Sequence, residues 1–158
     1  MPVNTAKVTG RRQLKFNTID DILADVERLN QSKVRALGNW SPGQNLMHVA
    51  IVMNGCVDGI AFKAPFYIRA VGWVMKNRFL KNPMPAGFDL PKAAAAQLVP
   101  GDIGWEEAMQ QFRTAFQRVK TEPQRHPHPV LGALTREQWD QLHCRHCELH
   151  LSFLVPEA

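Results

Sequence analysis

The sequence has few cysteines, no long apolar run and no block of like charges. Its three cysteines are an odd number in a chain of 158 residues, so they do not indicate a disulfide framework. No uninterrupted apolar stretch approaches the roughly 20 residues that a transmembrane helix needs, and the N-terminal residues lack the apolar core of a signal peptide. These absences argue against a disulfide-stapled secreted protein and a membrane-spanning one. We therefore expect a cytoplasmic protein without a membrane partner.

The charges are mixed and scattered. The chain has 19 Lys and Arg against 14 Asp and Glu, a formal net charge of +5, with no basic stripe interleaved with aromatic residues. That pattern favours general solubility over a nucleic-acid partner. With 45% hydrophobic and 21% charged residues the composition is typical of a globular protein, and the length fits a single domain over residues 1–158.

Hydrophobic periodicity predicts helices and no strand. Apolar residues recur at helical spacing, and no segment shows the alternation typical of a strand. Two capping boxes mark helix starts, Ser41 with Gln44 and Thr135 with Gln138. The first helix begins at Asn17 or Thr18 and runs to about Lys33. The others are predicted over residues 42–59, 66–80, 102–120 and 135–154.

Residues 81–101 are rich in proline and glycine. They predict a structured crossover loop with a short helical turn at 92–97. Residues 1–16 predict an extended N-terminal arm. Four long amphipathic helices, with extra helical turns in one long crossover, indicate an all-α fold of the up-down four-helix-bundle type.

The last helix carries two histidines on its apolar face. At about 100° per residue, His150 lies about 40° from His146, within the stripe that also holds Trp139 and Phe153. His143 lies near the edge of this stripe, at about 60°. Two stacked imidazoles can hold one metal ion if a third ligand comes from elsewhere in the chain.

His48 on the second helix is the candidate third ligand. It shares a helix face with Gly55 and Gly59, which indicates a close helix approach or space for a ligand, although Gly59 can also be a C-cap. Three histidines on Zn²⁺ or a similar divalent ion leave an open position, as in catalytic zinc sites. The alternative is three separate core histidines, each with its own hydrogen-bond partner.

The motif order resembles that of the DinB/YfiT-like superfamily, and within it the DUF1569 family. The resemblance rests on the segments NWSPGQ at 39–44, LT at 134–135, QW at 138–139 and the spacing of His146 and His150 before Leu151. It implies a four-helix bundle with a divalent metal, Zn or Ni, on His48, His146 and His150. Relatives often have a second histidine where Leu149 stands here, which changes the surroundings of the site but none of the three ligands.

The resemblance also implies a class of chemistry. Some relatives are thiol-dependent transferases that use the metal to activate a low-molecular-weight thiol such as bacillithiol or mycothiol. We therefore predict a metal-dependent thiol S-transferase or hydrolase acting on a small electrophile, with a homodimer as a further possibility. The alternatives are a non-catalytic metal- or ligand-binding bundle, and a bundle with a vestigial, empty site. No general base is evident, because Glu148 lies at about 200° from His146, on the predicted solvent side.

Other chemistry-bearing residues have simpler interpretations. Cys147 lies on the flank of the last helix, at about 100° from His146, and Cys144 on its back, at about 160°. This favours ordinary buried or flanking thiols over a metal or redox pair, although Cys147 could reach the surroundings of the site. Cys56 lies about 80° from His48 and is predicted to pack in the core. His126 and His128 lie in a proline-rich turn, which favours a rigid loop.

The segment from Phe66 to Leu80 is cationic and apolar. It is compatible with a helix on a membrane surface, but we expect it to pack on the bundle. That packing would bury Phe66, Ala70, Trp73 and Phe79 and leave the cations exposed.

Overall fold

Six helices and one small sheet make up the protein in a computed structural model that describes residues 1–157. After a short 3-10 turn at Thr5–Lys7 come α1 (Ile19–Leu29), β1 (Val34–Ala36), α2 (Pro42–Asp58), α3 (Phe66–Lys81), α4 (Lys92–Leu98), α5 (Trp105–Thr121), α6 (Arg136–Leu151) and β2 (Leu154–Pro156). The mostly helical class predicted from the sequence is confirmed.

The helix starts follow from local capping chemistry. Ser41 Oγ accepts from the backbone N–H of Gln44 at 3.1 Å, and Thr135 Oγ accepts from that of Gln138 at 3.1 Å. In each case the glutamine side chain returns a bond to the cap residue's N–H. Both predicted capping boxes are therefore present, and they fix the starts of α2 and α6.

The two strands were not predicted. β1 and β2 pair antiparallel, with Val34 opposite Pro156 and Ala36 opposite Leu154. Three residues are too few to show an alternating pattern, and the two strands are far apart in the sequence. The sheet also explains two shorter helices: α1 ends at Leu29 instead of Lys33, and α6 ends at Leu151 because the chain leaves it for β2.

One continuous cluster of buried side chains forms the core. α2 packs most extensively on α5 and also on α6, and α1 packs on α6. The cluster includes Ile22, Met53, Phe112 and Trp139, each with 0% exposure. This arrangement brings one face of α2 against one face of α6, where the three histidines lie.

The N-terminal arm is anchored by Arg12. The Arg12 guanidinium donates to both carboxylate oxygens of Asp25 at 2.8 Å, and to the carbonyl oxygens of Leu151 and Leu154 at 2.9 and 2.6 Å. Phe16 adds a buried side chain with 5% exposure. The arm thus joins α1 to the C-terminal end of α6.

α3 differs most from the sequence prediction. Phe66 is 81% exposed and Trp73 is 69% exposed, and Ala70 is exposed as well. Phe79 is 36% exposed. The prediction that these four side chains are buried is wrong, because α3 meets the rest of the protein along a narrow stripe that contains Gly72 and Leu80, its two buried residues. No helix within residues 1–157 combines the length and apolar character that a membrane span requires.

Candidate metal centre

His48, His146 and His150 converge at the contact between α2 and α6. One ring nitrogen from each lies within 4.8 Å of those of the other two. The ring centroids are 5.0 Å apart for His48 and His146, 4.4 Å for His48 and His150, and 4.6 Å for His146 and His150. The fold thus brings together the three histidines that the sequence names as candidate ligands.

The spacing of the ring nitrogens suits a metal ion. A tetrahedral ion with bonds of about 2.0–2.1 Å holds its ligand atoms about 3.3 Å apart. The Nε2 atoms of His48 and His146 are 3.1 Å apart, and no pair in the group exceeds 4.8 Å. Small side-chain rotations would therefore bring all three nitrogens to bonding distance.

The tautomer of His48 is fixed by the backbone of α4. His48 Nδ1 lies 2.6 Å from the carbonyl oxygen of Leu98, which can only accept, so Nδ1 carries the proton and donates. The lone pair is then on Nε2 and points at His146. A metal-binding histidine characteristically donates its other ring N–H in this way.

Two ring nitrogens at 3.1 Å need a proton or a cation between them. Because His48 Nε2 is an acceptor, His146 Nε2 either donates a proton to it or joins it in coordinating a cation. In both arrangements His146 Nδ1 is buried and has no partner within residues 1–157. The third nearby imidazole, His150, favours the cation, since it adds another lone pair to the same point.

All three imidazoles are held in the neutral form that binds metals. Burial lowers the pKa of His48, although the bond to the Leu98 carbonyl opposes this. Burial, followed by the neighbouring imidazoles His150 and His48, holds the pKa of His146 well below its usual value. The pKa of His150 is also held well below its usual value, first by burial and then by the nearby His48 and Arg11. Neutral imidazoles are ready ligands near pH 7.

Trp40 and Arg11 belong to the surroundings of the site and were not predicted. The Trp40 ring stacks on His150 with 5.6 Å between centroids and 10° between planes, and it lies 4.9 Å from the His48 ring. The Arg11 guanidinium donates to Ser152 Oγ at 2.7 and 3.0 Å and lies 4.3 Å from the centre of the Phe153 ring. The position of Trp40 directly before the cap of α2 was a sequence signal that could have placed it near His48. No sequence signal places Arg11 near the site, because only the fold brings the N-terminal arm there.

Glu148 does not face solvent. Its Oε1 accepts from the backbone N–H of Phe16 and from Arg145 Nη2, both at 2.6 Å, and the residue is 8% exposed. The predicted solvent side of α6 is instead covered by the N-terminal arm, which no helix periodicity can show. The carboxylate is committed to this structural role.

The cysteines and the remaining histidines have structural roles in the fold. Cys56, Cys144 and Cys147 are free and buried, and burial raises the pKa of the first two thiols to about 11 and that of Cys147 well above its ordinary value. All three thiols are thus buried in the core. His143, predicted at the edge of its stripe, is 1% exposed with Nε2 3.4 Å from Cys56 Sγ.

The proline-rich turn is held by the His128 ring. His128 Nδ1 accepts from the backbone N–H groups of Val130 and Leu131 at 3.1 and 3.0 Å. Backbone bonds in both directions between His128 and Gly132 close the turn. This agrees with the prediction of a rigid loop, and it gives His128 no position in the metal site.

The glycines on the His48 face serve packing and helix termination. A Cβ on Gly55 would lie 2.6 Å from Ile60 Cγ1, so a close approach explains this glycine. Gly59 is the C-cap of α2 with φ 90°, a conformation that favours glycine. A cavity of about 240 Å³ lies beside this face, and its lining includes Ile51, Gly55 and Leu98 but none of the three histidines.

The fold and the site together define a helical protein with a three-histidine cluster between two helices, in which His48 is buried and His146 and His150 are half-buried. The chain belongs to the DUF1569 family: residues 8–157 match the family model, which is described as a protein of unknown function. No curated protein and no solved structure matches the chain.

Proposed function

We propose that this DUF1569 protein binds one divalent metal ion through His48, His146 and His150. The observation that carries the proposal is the convergence of three neutral imidazoles within 4.8 Å, one of them locked as an Nε2 acceptor by the Leu98 carbonyl. Imidazole ligands suit zinc and nickel. The free, buried cysteines fit a reducing cytoplasm.

We further propose the DinB/YfiT-like four-helix bundle as the parent architecture. The contacts of α2 with α5 and α6, and of α1 with α6, support this assignment. The two capped helices carry the histidines in the order that the resemblance implies, with His48 first and the paired His146 and His150 last.

The activity we propose is metal-dependent transfer of a thiol, or hydrolysis, on a small electrophile. A divalent ion with three histidine ligands leaves a position free, where it lowers the pKa of a bound thiol or water towards neutrality. The protein's own residues supply the rest: Leu98 orients His48, Trp40 covers His150, and Arg11 adds a positive charge near His150 that favours an anionic nucleophile.

Cobalt substitution tests whether the metal has a free position. The protein is loaded with Co²⁺, and its visible absorption is recorded while a low-molecular-weight thiol is added. We expect a new sulfur-to-cobalt charge-transfer band that is absent from His48→Ala. A cobalt spectrum that no thiol or small anion alters would contradict an open site.

A non-catalytic metal-binding protein is the second candidate. One observation favours it: Glu148, the buried carboxylate on the ligand-bearing helix, is committed to Arg145 and the Phe16 N–H and is not free to act as a base. Turnover of a panel of electrophiles with the thiol and the loaded protein separates the two candidates. Metal binding with no turnover across that panel would favour the second.

A further inference from the structure

The outward face of α3 is apolar and uncovered. Tyr67, Val71 and Val74 recur at helical spacing and are 58%, 57% and 74% exposed. Phe66 and Trp73 flank them at 81% and 69% exposure. The opposite side of the helix is already used, because a Cβ on Gly72 would lie 2.6 Å from the Val130 carbonyl oxygen.

An exposed apolar surface as large as that of α3 favours a binding partner. Phe66 and Trp73 lie on the adjacent side of α3, about 100° round the helix from Tyr67 and Val74. At about 150–250 Å² for a whole aromatic side chain, these two and Tyr67 expose roughly 400 Å² on the uncovered sides of α3. The largest apolar patch on a typical monomer is itself about 300–600 Å² and is often functional. Val71 and Val74 extend the α3 face beyond the three aromatic residues. A helix that is apolar on both sides is normally covered on both.

The charge around α3 identifies the chemistry of the partner. Between Gly59 and Phe88 the chain has five cations and no acidic residue. The rest of the chain has 19 − 5 = 14 cations against 14 acidic residues, so the whole formal net charge of +5 belongs to this segment. Within residues 1–157 none of the five forms an ion pair. The cations are Lys63, Arg69, Lys76, Arg78 and Lys81.

We propose that α3 is a peripheral docking helix for an anionic lipid surface. Apolar side chains enter the boundary between headgroups and acyl chains, while long cationic side chains reach the lipid phosphates and carboxylates. Arg78 and Lys81 follow Val74 on the outward face at helical spacing, so they are placed for this contact. The proposed contact is peripheral, and no helix within residues 1–157 has the length and apolar character of a membrane span.

A second copy of the chain fits this face less well. Pairing α3 with α3 through this face would bring two copies of Arg78 and Lys81 together, with no acidic residue in the segment to neutralise them. Like charges that face each other across an interface oppose association. An anionic lipid surface removes this repulsion and turns the same charges into attraction. This inference does not depend on the metal site, and it replaces the expectation that the protein has no membrane partner.

Vesicle binding tests the proposal directly. The full chain is mixed with vesicles of phosphatidylcholine containing about 30% phosphatidylserine, and separately with pure phosphatidylcholine, and binding is measured by flotation. We expect binding only to the anionic vesicles, and loss of binding at high salt because surface electrostatics are screened. Trp73 reports the contact: tryptophan fluorescence should shift to the blue and become shielded from acrylamide, and Trp73→Phe should lose that shift while still binding.

Matched charge variants separate α3 from the general charge of the protein. Arg78→Glu with Lys81→Glu removes two cations from the face, and each cation near an anionic membrane contributes about fivefold in binding, so we expect at least about 25-fold weaker binding. The control, Lys15→Glu with Arg28→Glu, makes the same change in net charge at exposed positions outside α3 and should bind almost as well as the wild type. All four side chains are exposed, so both variants should fold.

Three results would overturn the proposal. The first is no binding to the anionic vesicles at low salt, and the second is equal binding to both kinds of vesicle. The third is a stable dimer by light scattering in which Trp73 is already shielded from acrylamide before vesicles are added, which would assign the face to a second copy of the chain.

Discussion

Replacement of Asp25 by alanine should destabilise the protein strongly, because it leaves Arg12, whose side chain is only 19% exposed, without its counter-charge. Asp25 is 3% exposed, and both of its oxygens accept from Arg12 at 2.8 Å. Removing one partner of a buried pair typically costs about 3–5 kcal/mol. The Leu151 and Leu154 carbonyls still accept from the guanidinium, so we expect a loss near the lower end, about 3 kcal/mol in the free energy of unfolding.

Urea unfolding followed by circular dichroism measures this loss. The matched control is Glu27→Ala on the same helix, whose partner Arg113 also bonds both carboxylate oxygens, at 2.7 Å. That pair is exposed, with side chains 49% and 38% accessible, so its removal should cost under about 1 kcal/mol. If Asp25→Ala costs no more than Glu27→Ala, the arm is not anchored as described. Arg12→Met combined with Asp25→Leu should cost less than the sum of the two single changes.

Three further predictions concern Glu148, His128 and Gly72. Glu148→Gln keeps an oxygen for the Phe16 N–H but loses the charge opposite Arg145. The free energy of unfolding in urea should therefore fall by about 1–2 kcal/mol, while the metal content stays at the wild-type value. Loss of metal would instead place Glu148 in the site. Burial lowers the pKa of His128 to about 4, so the fold favours the neutral ring. The stability that this neutral ring contributes is complete above pH 6.5 and is lost as pH falls towards 4. His128→Asn keeps an acceptor for the two backbone N–H groups but has no group that titrates in this range. Between pH 7 and 5 the free energy of unfolding of the wild type should therefore fall by about 2 kcal/mol more than that of the variant. Parallel pH profiles would refute the lowered pKa of His128. Gly72→Val should cost about 1–3 kcal/mol, since its side chain would meet the Val130 carbonyl, whereas Ala70→Val on the exposed side of α3 should be nearly neutral by the same measurement.

The ligand-bearing helices could be predicted because their signals are local. Ser41 and Thr135 each act within four residues, and the spacing of His146 and His150 follows from helix geometry alone. These signals located His48, His146 and His150 and the face that each shares with the core. The distance between the two helices is not a local property, and only the fold shows that the imidazoles meet.

The features that sequence reasoning missed depend on contacts between distant segments. The solvent side of α6 is covered by residues near Phe16, so Glu148 is buried although its helix angle indicates exposure. β1 pairs with β2, which is distant in the sequence, and Arg11 reaches the three-histidine cluster through the N-terminal arm. For α3 the sequence reasoning was wrong in the opposite direction. Its apolar residues are typical of a core helix, but they lie on the surface.

The metal content of the tag-free protein shows whether His48, His146 and His150 hold a divalent ion. The purified chain is loaded with zinc or nickel, freed of excess metal and analysed for metal per chain, beside His48→Ala and the control His126→Ala, which removes a histidine from the loop. We expect one ion per chain in the wild type and in His126→Ala, and none in His48→Ala. Free metal at about 1,000 times its dissociation constant would also raise the free energy of unfolding by about 4 kcal/mol. A wild-type protein that retains no ion after loading, with unchanged stability in the presence of either metal, would contradict the proposed metal site.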